Sequence, residues 1–324
     1  MSKIHFLNVK EGDCSWIEHD SKHNTIIDIS NAYVVENLVE KSLFESVLGN
    51  YNQKNNPTNP IQYFHAHNME KIFRFILTHP DMDHMDGLKA LLTEFKCYNF
   101  WDTPNEKQMD DDQWKFGKYS KDDWEFYQKI RSGKIQGVTV LNLLDGAKGV
   151  YYNLDDDEGH GTGDGLYVLS PTEELVEEAN KEKEYNNISY VILYVTQDRK
   201  ILFPGDTEEA AWDSLLERHE DLLRDIDVFI APHHGRKSGG NDNYLGILKP
   251  KLTLFGNAKS KDLDYDSWLK RDLDKITNNQ AGNIVLCIHD GIIDVYVENE
   301  KYAEKCLDSA RWNAEFDGYL IGRL

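Results

Sequence analysis

Short apolar runs bounded by turn residues dominate the N-terminal part of the chain. The segments KIHFLNV, SWIEH and TIIDIS are separated by KEGDC and by the polar turn DSKHN, a pattern typical of antiparallel strands. A helix is predicted from about Val34 to Leu48. The polar, Pro-containing segment YNQKNNPTNPIQ that follows is interpreted as a surface insertion, and the next apolar run, KIFRFILT, as a strand.

Beyond this run, predicted strands and helices alternate. Helical spacing is seen in GLKALLTEF, KDDWEFYQKIRS, TEELVEEANKEK and EEAAWDSLLERHEDLLRD, and the strands LYVLS, SYVILYVT, ILFPGD and DVFIAP lie in the later part. The tail is predicted to contain the strand LTLFG, a helix over residues 262–276 and the hairpin NIVLCIHDGIIDVYVEN. This order fits an α/β chain with two mixed β-sheets and helices outside. We expect one domain over residues 1–324, with insertions around 49–68 and 102–165; two domains are the alternative.

Composition narrows the class of protein. Hydrophobic residues make up 40% of the 324 residues, enough for a sizeable core. The formal net charge of -21 repels a polyanion unless basic residues are concentrated locally, so an enzyme that moves along duplex DNA is disfavoured. The four cysteines lie far apart, and neither a signal peptide nor a membrane span is expected, so the sequence predicts a cytoplasmic protein with reduced thiols.

Candidate chemistry lies at the ends of three predicted strands. HPDMDH follows KIFRFILT, and its imidazoles and carboxylates are a ligand set for a divalent cation, although one loop supplies too few ligands. FPGD at 203–206 and APHHG at 231–235 follow apolar runs in the same way. Taken separately, HPDMDH could cap a helix and PHHG could be a turn. Together they predict a two-metal centre, with Asp206 suited to bridge because a carboxylate has two oxygens.

Six motifs in order resemble those of the metallo-β-lactamase-fold hydrolases, and within them the soluble domain of ComEC-type competence proteins. HFLNVKEGDC resembles the opening FLNVGxGD, TIIDIS the strand that ends in an aspartate supporting the ligands, and HPDMDH the motif HxHxDH. NNISYVI resembles the NxS strand, FPGD the bridging-Asp motif and PHHG the last His motif. The resemblance covers nearly the whole chain. It implies a four-layer αββα sandwich and a metal-dependent hydrolase.

The resemblance also implies ligands at the matching positions. The last ligand is His233 or His234, with His234 favoured, and Asp81 stands where many members have histidine, a substitution that the ComEC-like branch shares. This carboxylate shifts the metal preference from Zn²⁺ toward Mn²⁺ or Mg²⁺. We expect two divalent ions, Mn or Zn, with Mg as a further candidate. The implied ligands are His79, Asp81, Asp83, His84, Asp206 and His234, and the residues that support them are Asp28 and Asp13.

Paired cations favour phosphodiester hydrolysis, because they lower the pKa of a bridging water and neutralise charge on the attacked group. Asp83 would position a metal ion or the water, and His233, if it is not a ligand, could protonate the leaving group. The polar residues after the His pair could hold a phosphate oxygen, with a solvated turn as the alternative. The candidate substrate-binding residues are Arg236, Lys237, Ser238, Asn187 and Ser189.

The leading hypothesis is therefore a phosphodiesterase or nuclease that acts on single-stranded DNA or on short or cyclic nucleotides. A basic lane reaching the metal ions would favour a polymer, and an acidic rim would favour a small molecule. One alternative is hydrolysis of another ester, amide or thioester, because fold alone does not determine chemistry. Another is a metal-stabilised, non-catalytic partner protein in a multi-protein system.

Overall fold

The computed structural model describes residues 1–34, 51–114, 117–154, 163–237, 240–259 and 262–324. Along these residues the strands are β1 (Ser2–Phe6), β2 (Ser15–Glu18), β3 (Asn24–Ile27), β4 (Lys71–Ile76), β5 (Lys96–Trp101), β6 (Thr139–Leu141), β7 (Leu166–Ser170), β8 (Val191–Thr196), β9 (Arg199–Phe203), β10 (Val228–Ile230), β11 (Leu252–Phe255), β12 (Lys275–Thr277), β13 (Ile284–His289), β14 (Ile292–Val297), β15 (Trp312–Asn313) and β16 (Gly318–Arg323). The α-helices are α1 (Pro60–Ala66), α2 (Leu88–Glu94), α3 (Asp111–Trp114), α4 (Lys121–Arg131), α5 (Glu173–Glu182), α6 (Glu209–Leu223), α7 (Tyr244–Leu248), α8 (Tyr265–Leu269), α9 (Asn278–Ala281) and α10 (Glu300–Cys306).

The strands form two mixed sheets. The first sheet has the order β15-β16-β14-β13-β1-β2-β3-β4-β5-β6, in which β3 to β6 run parallel and the other neighbours are antiparallel. The second sheet has the order β12-β11-β10-β9-β8-β7, in which β9 to β12 run parallel. Polar residues that follow the carboxyl ends of parallel neighbours therefore gather at one edge of each sheet.

Helices cover the outer faces of both sheets. Successive side chains of a strand point to opposite faces, and in β4 Ile76 packs between the sheets whereas Phe75 packs against the helices. Leu88 of α2 and Trp124 of α4 belong to the outer core of the first sheet, and Trp212 of α6 belongs to that of the second. The result is the four-layer αββα sandwich with two mixed sheets that the resemblance implies.

Two regions differ from the sequence-based prediction. The helix predicted over 262–276 is wrong: α8 is short, Asp272 has a left-handed φ of 54°, and Lys275–Thr277 forms β12 in parallel with β11. Pairing along an open sheet edge thus overrides the local helical spacing. The strand β5 (KCYNFW) was not predicted at all.

The predicted helix from Val34 to Leu48 lies outside the described residues except for Val34 itself. The segment interpreted as a surface insertion contains α1, whose Ile61 and Phe64 are buried in the helical layer of the first sheet. None of the helices in the described ranges combines the length and the apolar composition needed to cross a bilayer.

Candidate metal centre

Three loops from two sheets meet at one edge of the sandwich. HPDMDH follows β4 of the first sheet, whereas FPGD and APHHG follow the neighbouring strands β9 and β10 of the second sheet. Backbone hydrogen bonds tie these loops together: Tyr190 N donates to Thr78 O at 2.8 Å, and His233 N donates to Gly205 O at 3.2 Å. The predicted convergence of three strand ends therefore occurs between the two sheets.

A tight turn brings the first two histidines together. Asp81 N donates to His79 O at 2.9 Å, and His84 N donates to Asp81 O at 3.1 Å. These bonds close the chain into a 3-10 turn over Met82–His84, and the His79 and His84 rings lie 4.2 Å apart, centroid to centroid. Both imidazoles are fully buried.

The second pair of histidines depends on unusual backbone geometry. His233 and His234 are consecutive residues with left-handed φ angles of 54° and 57°, a conformation that costs on the order of 1–3 kcal/mol for a residue other than glycine. It turns the His234 ring into the buried interior, while the side chain of His233 stays 21% exposed. Strain of this kind is typical of functional sites, where the surrounding structure maintains it.

Asp206 lies at the centre of all four histidines. Its carboxylate oxygens are 3.3 Å from His84 Nε2, 3.7 Å from His233 Nε2, 3.8 Å from His234 Nε2 and 4.0 Å from His79 Nε2. These separations exceed a normal N–H···O hydrogen bond. Within the described ranges, the Nε2 atoms of the three buried histidines and Asp206 Oδ1 have no hydrogen-bond partner. Buried polar atoms are rarely left unpaired, so an ion is the natural partner of this group.

The donor spacing fits a divalent cation. Ligand atoms about 2.0–2.1 Å from a tetrahedral zinc ion are roughly 3.3–3.4 Å from one another, close to the 3.3 Å between His84 Nε2 and Asp206 Oδ1 and the 3.5 Å between His234 Nε2 and Asp83 Oδ2. Among the described residues, the groups of donors close enough to share an ion are His79, His84 and Asp206; Asp83, His84 and His234; and Asp13, Asp206 and His234.

Two further aspartates orient the ligand histidines. His84 Nδ1 lies 2.7 Å from Asp28 Oδ2, and Asp28 also accepts hydrogen bonds from Thr78 N and Oγ1. His234 Nδ1 lies 3.1 Å from Asp13 Oδ2. A carboxylate on Nδ1 leaves Nε2 for the metal and makes it a better donor. Both aspartates thus lie beside a histidine, and their supporting role stays a prediction.

The charges of the centre shift its pKa values strongly. Burial by itself would lower the pKa of His84, but the Asp206 and Asp28 carboxylates outweigh burial and raise that pKa well above its ordinary value. Against the same effect of burial, Asp13 and Asp206 raise the pKa of His234 to about 10. Burial would raise the pKa of Asp206, yet the charges of His234 and His84 hold it well below its usual range. Without a cation, protonated imidazoles supply the positive charge that the carboxylates require.

Asp81 has a different partner. Its Oδ1 lies 3.9 Å from His79 Nε2, but the same oxygen pairs with the ammonium of Lys107. Lys107 lies over the ring of Tyr185, 5.4 Å from its centroid. Asp81 is in none of the donor groups found among the described residues. Sequence analysis missed Lys107, because it lies in a polar segment with no motif and is 26 positions from its partner.

The candidate substrate-binding residues occupy different environments. Arg236 has a buried Nε atom without a hydrogen-bond partner, Lys237 is exposed, and Ser238 lies outside the described residues. Asn187 Oδ1 accepts from the backbone N of Glu208 and of Ala211 at 3.2 Å. Asn187 thus caps the helix that follows Asp206.

Ser189 Oγ accepts from Asp206 N at 3.2 Å, so Ser189 holds the loop of the central carboxylate. The loop also requires Gly205, which has a φ of 57° and where a Cβ would lie 2.9 Å from Thr78 Cβ and 3.0 Å from Ser189 Cβ. Substrate binding by Asn187 and Ser189 stays a prediction, and their contacts are those of supporting residues.

Basic side chains gather beside the centre, around Glu11. Gly12 approaches the carbonyl of Asp83 so closely that a Cβ there would lie 2.0 Å from it, which places Glu11 at the edge of the site. Glu11 pairs with Lys118, and this contact, together with the charges of Arg236 and Lys259, lowers the pKa of the Glu11 carboxyl despite its partial burial. Three cations from separate segments thus surround one carboxylate on a chain with a net charge of -21.

No protein-family model matches the chain, and no curated protein matches it. Solved structures do resemble it. Igni18, a metallo hydrolase from the archaeon Ignicoccus hospitalis, is 11% identical with a TM-score of 0.48, over 89% of this chain and 100% of that one. A Zn-dependent hydrolase of the metallo-beta-lactamase superfamily from Thermotoga maritima is 11% identical with a TM-score of 0.38, over 84% and 86% of the two chains. CmlA, a diiron beta-hydroxylase from Streptomyces venezuelae, is 10% identical with a TM-score of 0.47, over 89% of this chain and 54% of that chain.

Proposed function

We propose that the chain is a metal-dependent phosphodiesterase of the metallo-β-lactamase fold that acts on nucleotides or on single-stranded nucleic acid. The observation that carries the proposal is the position of Asp206 among four histidines. The buried Nε2 atoms of His79, His84 and His234 lack a hydrogen-bond partner among the described residues. A bound divalent cation supplies the chemistry of this class, because it lowers the pKa of water and neutralises charge on the attacked phosphate. Asp28 and Asp13 lie 2.7 Å and 3.1 Å from Nδ1 of His84 and His234, and would leave the Nε2 atoms to hold the ion.

His233 is suited to proton transfer. Its ring is partly exposed, and Nε2 lies 3.7 Å from Asp206 while Nδ1 lies 4.0 Å from Glu208 Oε1. An imidazole held between two carboxylates at the edge of the centre can carry a proton and deliver it to a leaving oxygen. We therefore assign His233 the role of general acid. Asp83, whose Oδ2 lies 3.5 Å from His234 Nε2, would orient the attacking water.

Arg236 favours a phosphate substrate over a neutral ester. The residue directly follows the histidine pair and its Gly, and its Nε has no hydrogen-bond partner among the residues that the structure describes. A guanidinium can make a two-pronged, charge-assisted contact with phosphate oxygens. Lys259 adds positive potential near Glu11 beside the same site, whereas the charge of Lys118 is paired with Glu11.

The first test uses a chromogenic phosphodiester. Protein stripped of metal and re-supplied with Mn²⁺, Zn²⁺ or Mg²⁺ is assayed on bis-p-nitrophenyl phosphate, alongside Asp206→Ala. We expect one metal to restore hydrolysis and the variant to lose at least about 100-fold, because removal of a direct ligand costs more than the 10- to 100-fold typical of an outer partner. No turnover with any metal would reject a phosphodiesterase and favour another ester substrate or a binding role.

The second test separates phosphate recognition from catalysis in general. Arg236→Ala is expected to raise KM for the phosphodiester while leaving the metal content unchanged. The matched control is Arg224→Ala, which removes an exposed arginine of the second helical layer that pairs with Glu220. Equal losses in both variants would contradict the assignment of Arg236.

A further inference from the structure

A cavity of about 770 Å³ lies apart from the metal centre. It opens at the amino ends of the parallel strands β3, β4 and β6, where Asn24, Lys71 and Thr139 line it, and it extends along the first sheet to Trp101 and Leu141. The loop of the candidate metal centre follows the carboxyl end of β4, beyond Ile76, which pairs with Trp101 of the cavity lining. The volume is within the roughly 300–1,000 Å³ of small-molecule sites, and no residue of the metal centre lines the cavity.

Aromatic rings form much of its wall. Phe73 stacks on His23 with centroids 3.6 Å apart and planes inclined by 2°, and Tyr151 meets both rings edge-on. Trp101, which is buried, packs edge-on against Tyr152 with centroids 5.0 Å apart. The exposed ring of Tyr151 can stack on a planar ring, with a contribution of about 1–3 kcal/mol for a nucleic-acid base.

Among the described residues, the cavity lining includes Lys22, Lys71 and Arg74 but no aspartate or glutamate, although the chain has 57 acidic residues against 36 basic ones. Arg74 is already neutralised, since its Nη2 donates to Asp164 Oδ2 at 2.8 Å. Lys22 and Lys71 have no described carboxylate within salt-bridge distance, and both are exposed at the mouth.

Tyr98 links the lysines to the aromatic wall. Lys71 Nζ lies 5.9 Å from its ring centroid, and Lys96 Nζ lies 4.5 Å from it. A ligand ring placed against this wall would therefore have an ammonium group within reach of an attached anion. Neither aromatic faces nor lysines alone define a ligand, but together they match a base joined to a phosphate.

We infer that this cavity is a nucleotide site separate from the metal centre, in which the base stacks on the aromatic wall and the phosphate pairs with Lys22 and Lys71. The inference does not depend on the proposed phosphodiesterase activity, because none of its residues belongs to the metal centre. A nucleotide bound there would act as an effector or as a second portion of a longer ligand, and it would not be in contact with the metal ligands.

The test measures binding to the full chain by calorimetry in the presence of EDTA, so that the metal centre cannot hold the ligand. The probes are AMP, adenosine and inorganic phosphate. We expect one AMP per chain, bound at least tenfold more tightly than adenosine or phosphate, with the same affinity in Asp206→Ala. Failure of AMP to bind would overturn the inference, as would equal binding of all three probes.

Two variants locate the site. Lys71→Glu reverses the charge at the mouth, and Thr139→Trp fills the cavity from an exposed position; each is expected to weaken AMP binding at least tenfold. The control is Lys121→Glu, an exposed lysine that pairs with Asp111 on the helical layer. Binding that survives both variants but is lost in Asp206→Ala would place the nucleotide at the metal centre instead. Unchanged circular dichroism of the variants excludes misfolding as the cause of a loss.

Discussion

Strand β4 and the loop that follows it both carry buried charges, but they balance them differently. Within the strand, Arg74 pairs with Asp164, which also pairs with His23; Arg74 Nη2 lies 2.8 Å and His23 Nδ1 3.0 Å from the aspartate. In the loop after the strand, His79 Nε2 and His84 Nε2 lie near Asp206 without a hydrogen-bond partner among the described residues. The charges of the strand are paired within the protein, whereas we expect those of the loop to be balanced by a cation.

This difference has an energetic reason. Removing a charge from water costs several kcal/mol, and a buried ion pair recovers that cost only when its geometry and remaining hydrogen bonds are good. Arg74 meets this condition, because it also donates to Thr25 Oγ1 at 2.8 Å. The metal centre does not, and its shortest histidine to Asp206 distance is 3.3 Å. We therefore expect the Arg74–Asp164 pair to stabilise the protein without metal, and the loop after β4 to be stabilised by bound metal.

The largest effect is expected when the Arg74–Asp164 pair is removed. Arg74→Met leaves Asp164 buried without its main partner, so the free energy of unfolding is expected to fall by about 3–5 kcal/mol. Urea denaturation in EDTA measures it, and adding Asp164→Asn to the variant should recover part of the loss. Arg224→Met, which breaks an exposed pair, is the control and should cost less than about 1 kcal/mol. If Arg74→Met lowered the free energy of unfolding as little as the control does, the contrast between this pair and the histidine loop would be contradicted.

The second effect is a pH dependence of metal binding. Because Asp13 and Asp206 outweigh burial and raise the pKa of His234 to about 10, and the pKa of His84 is raised too, both imidazoles hold a proton at neutral pH in metal-free protein. A ligand nitrogen must be neutral, so affinity should rise about tenfold per pH unit for each proton released. Calorimetry between pH 6 and 8 in two buffers counts these protons, and a pH-independent affinity would refute the assignment.

The raised pKa values of His234 and His84 also predict how the stability of the protein changes with pH. A histidine whose pKa is raised on folding stabilises the metal-free protein fully below its ordinary pKa, and this contribution is lost as pH rises through the folded value, about 10 for His234. The metal-free protein should thus weaken from neutral to alkaline pH, whereas the metal-bound protein should not follow this trend. Thermal unfolding of both forms across that interval makes the comparison.

A smaller effect concerns Asp28, which orients His84. Asp28→Asn removes the negative charge of the carboxylate beside His84 Nδ1 and is expected to weaken metal binding about 10- to 100-fold. Competition with a chromogenic chelator gives the affinity. The matched control is Asp102→Asn. Asp102 is equally buried, but its partner is Tyr127, whose OH donates to it at 2.7 Å, and not one of the candidate metal ligands. A decrease of similar size in the control would attribute the effect to general destabilisation.

The smallest expected effect concerns the number of ions. Lys107 competes with a cation for Asp81, so Lys107→Met should raise the affinity for a second ion roughly tenfold, the order of a one-unit pKa change caused by a nearby charge. Metal content measured by mass spectrometry after titration with metal tests this. The control is Lys118→Met, which breaks the pair of Lys118 with Glu11. A second ion bound equally well before and after the change would show that Lys107 does not compete.

Local pattern was sufficient for much of the fold and for the kinds of donor. The strands before His79, Asp206 and His233 were predicted because apolar runs ended in polar turns, and α4, α5 and α6 were predicted from their spacing. The helix over 262–276 failed because β12 gains its hydrogen bonds from β11, a partner about 20 positions away that local spacing does not reveal. The resemblance predicted Asp28 and Asp13 as supporting residues, and the structure places each beside a histidine.

By itself the sequence determined where polar ligands follow strands, because a side chain's position relative to its own strand is a local property. Which of those ligands face each other was decided only by the tertiary structure. The left-handed backbone at His233 and His234 and the pairing of Lys107 with Asp81 arise from packing between segments far apart in the chain. The Arg74 and Asp164 pair spans 90 positions, and the aromatic cavity beside it likewise exists only once the strands are assembled. The balance of charge around Arg74 and around the histidine loop depends on distances in space, and no periodicity along the chain encodes those distances.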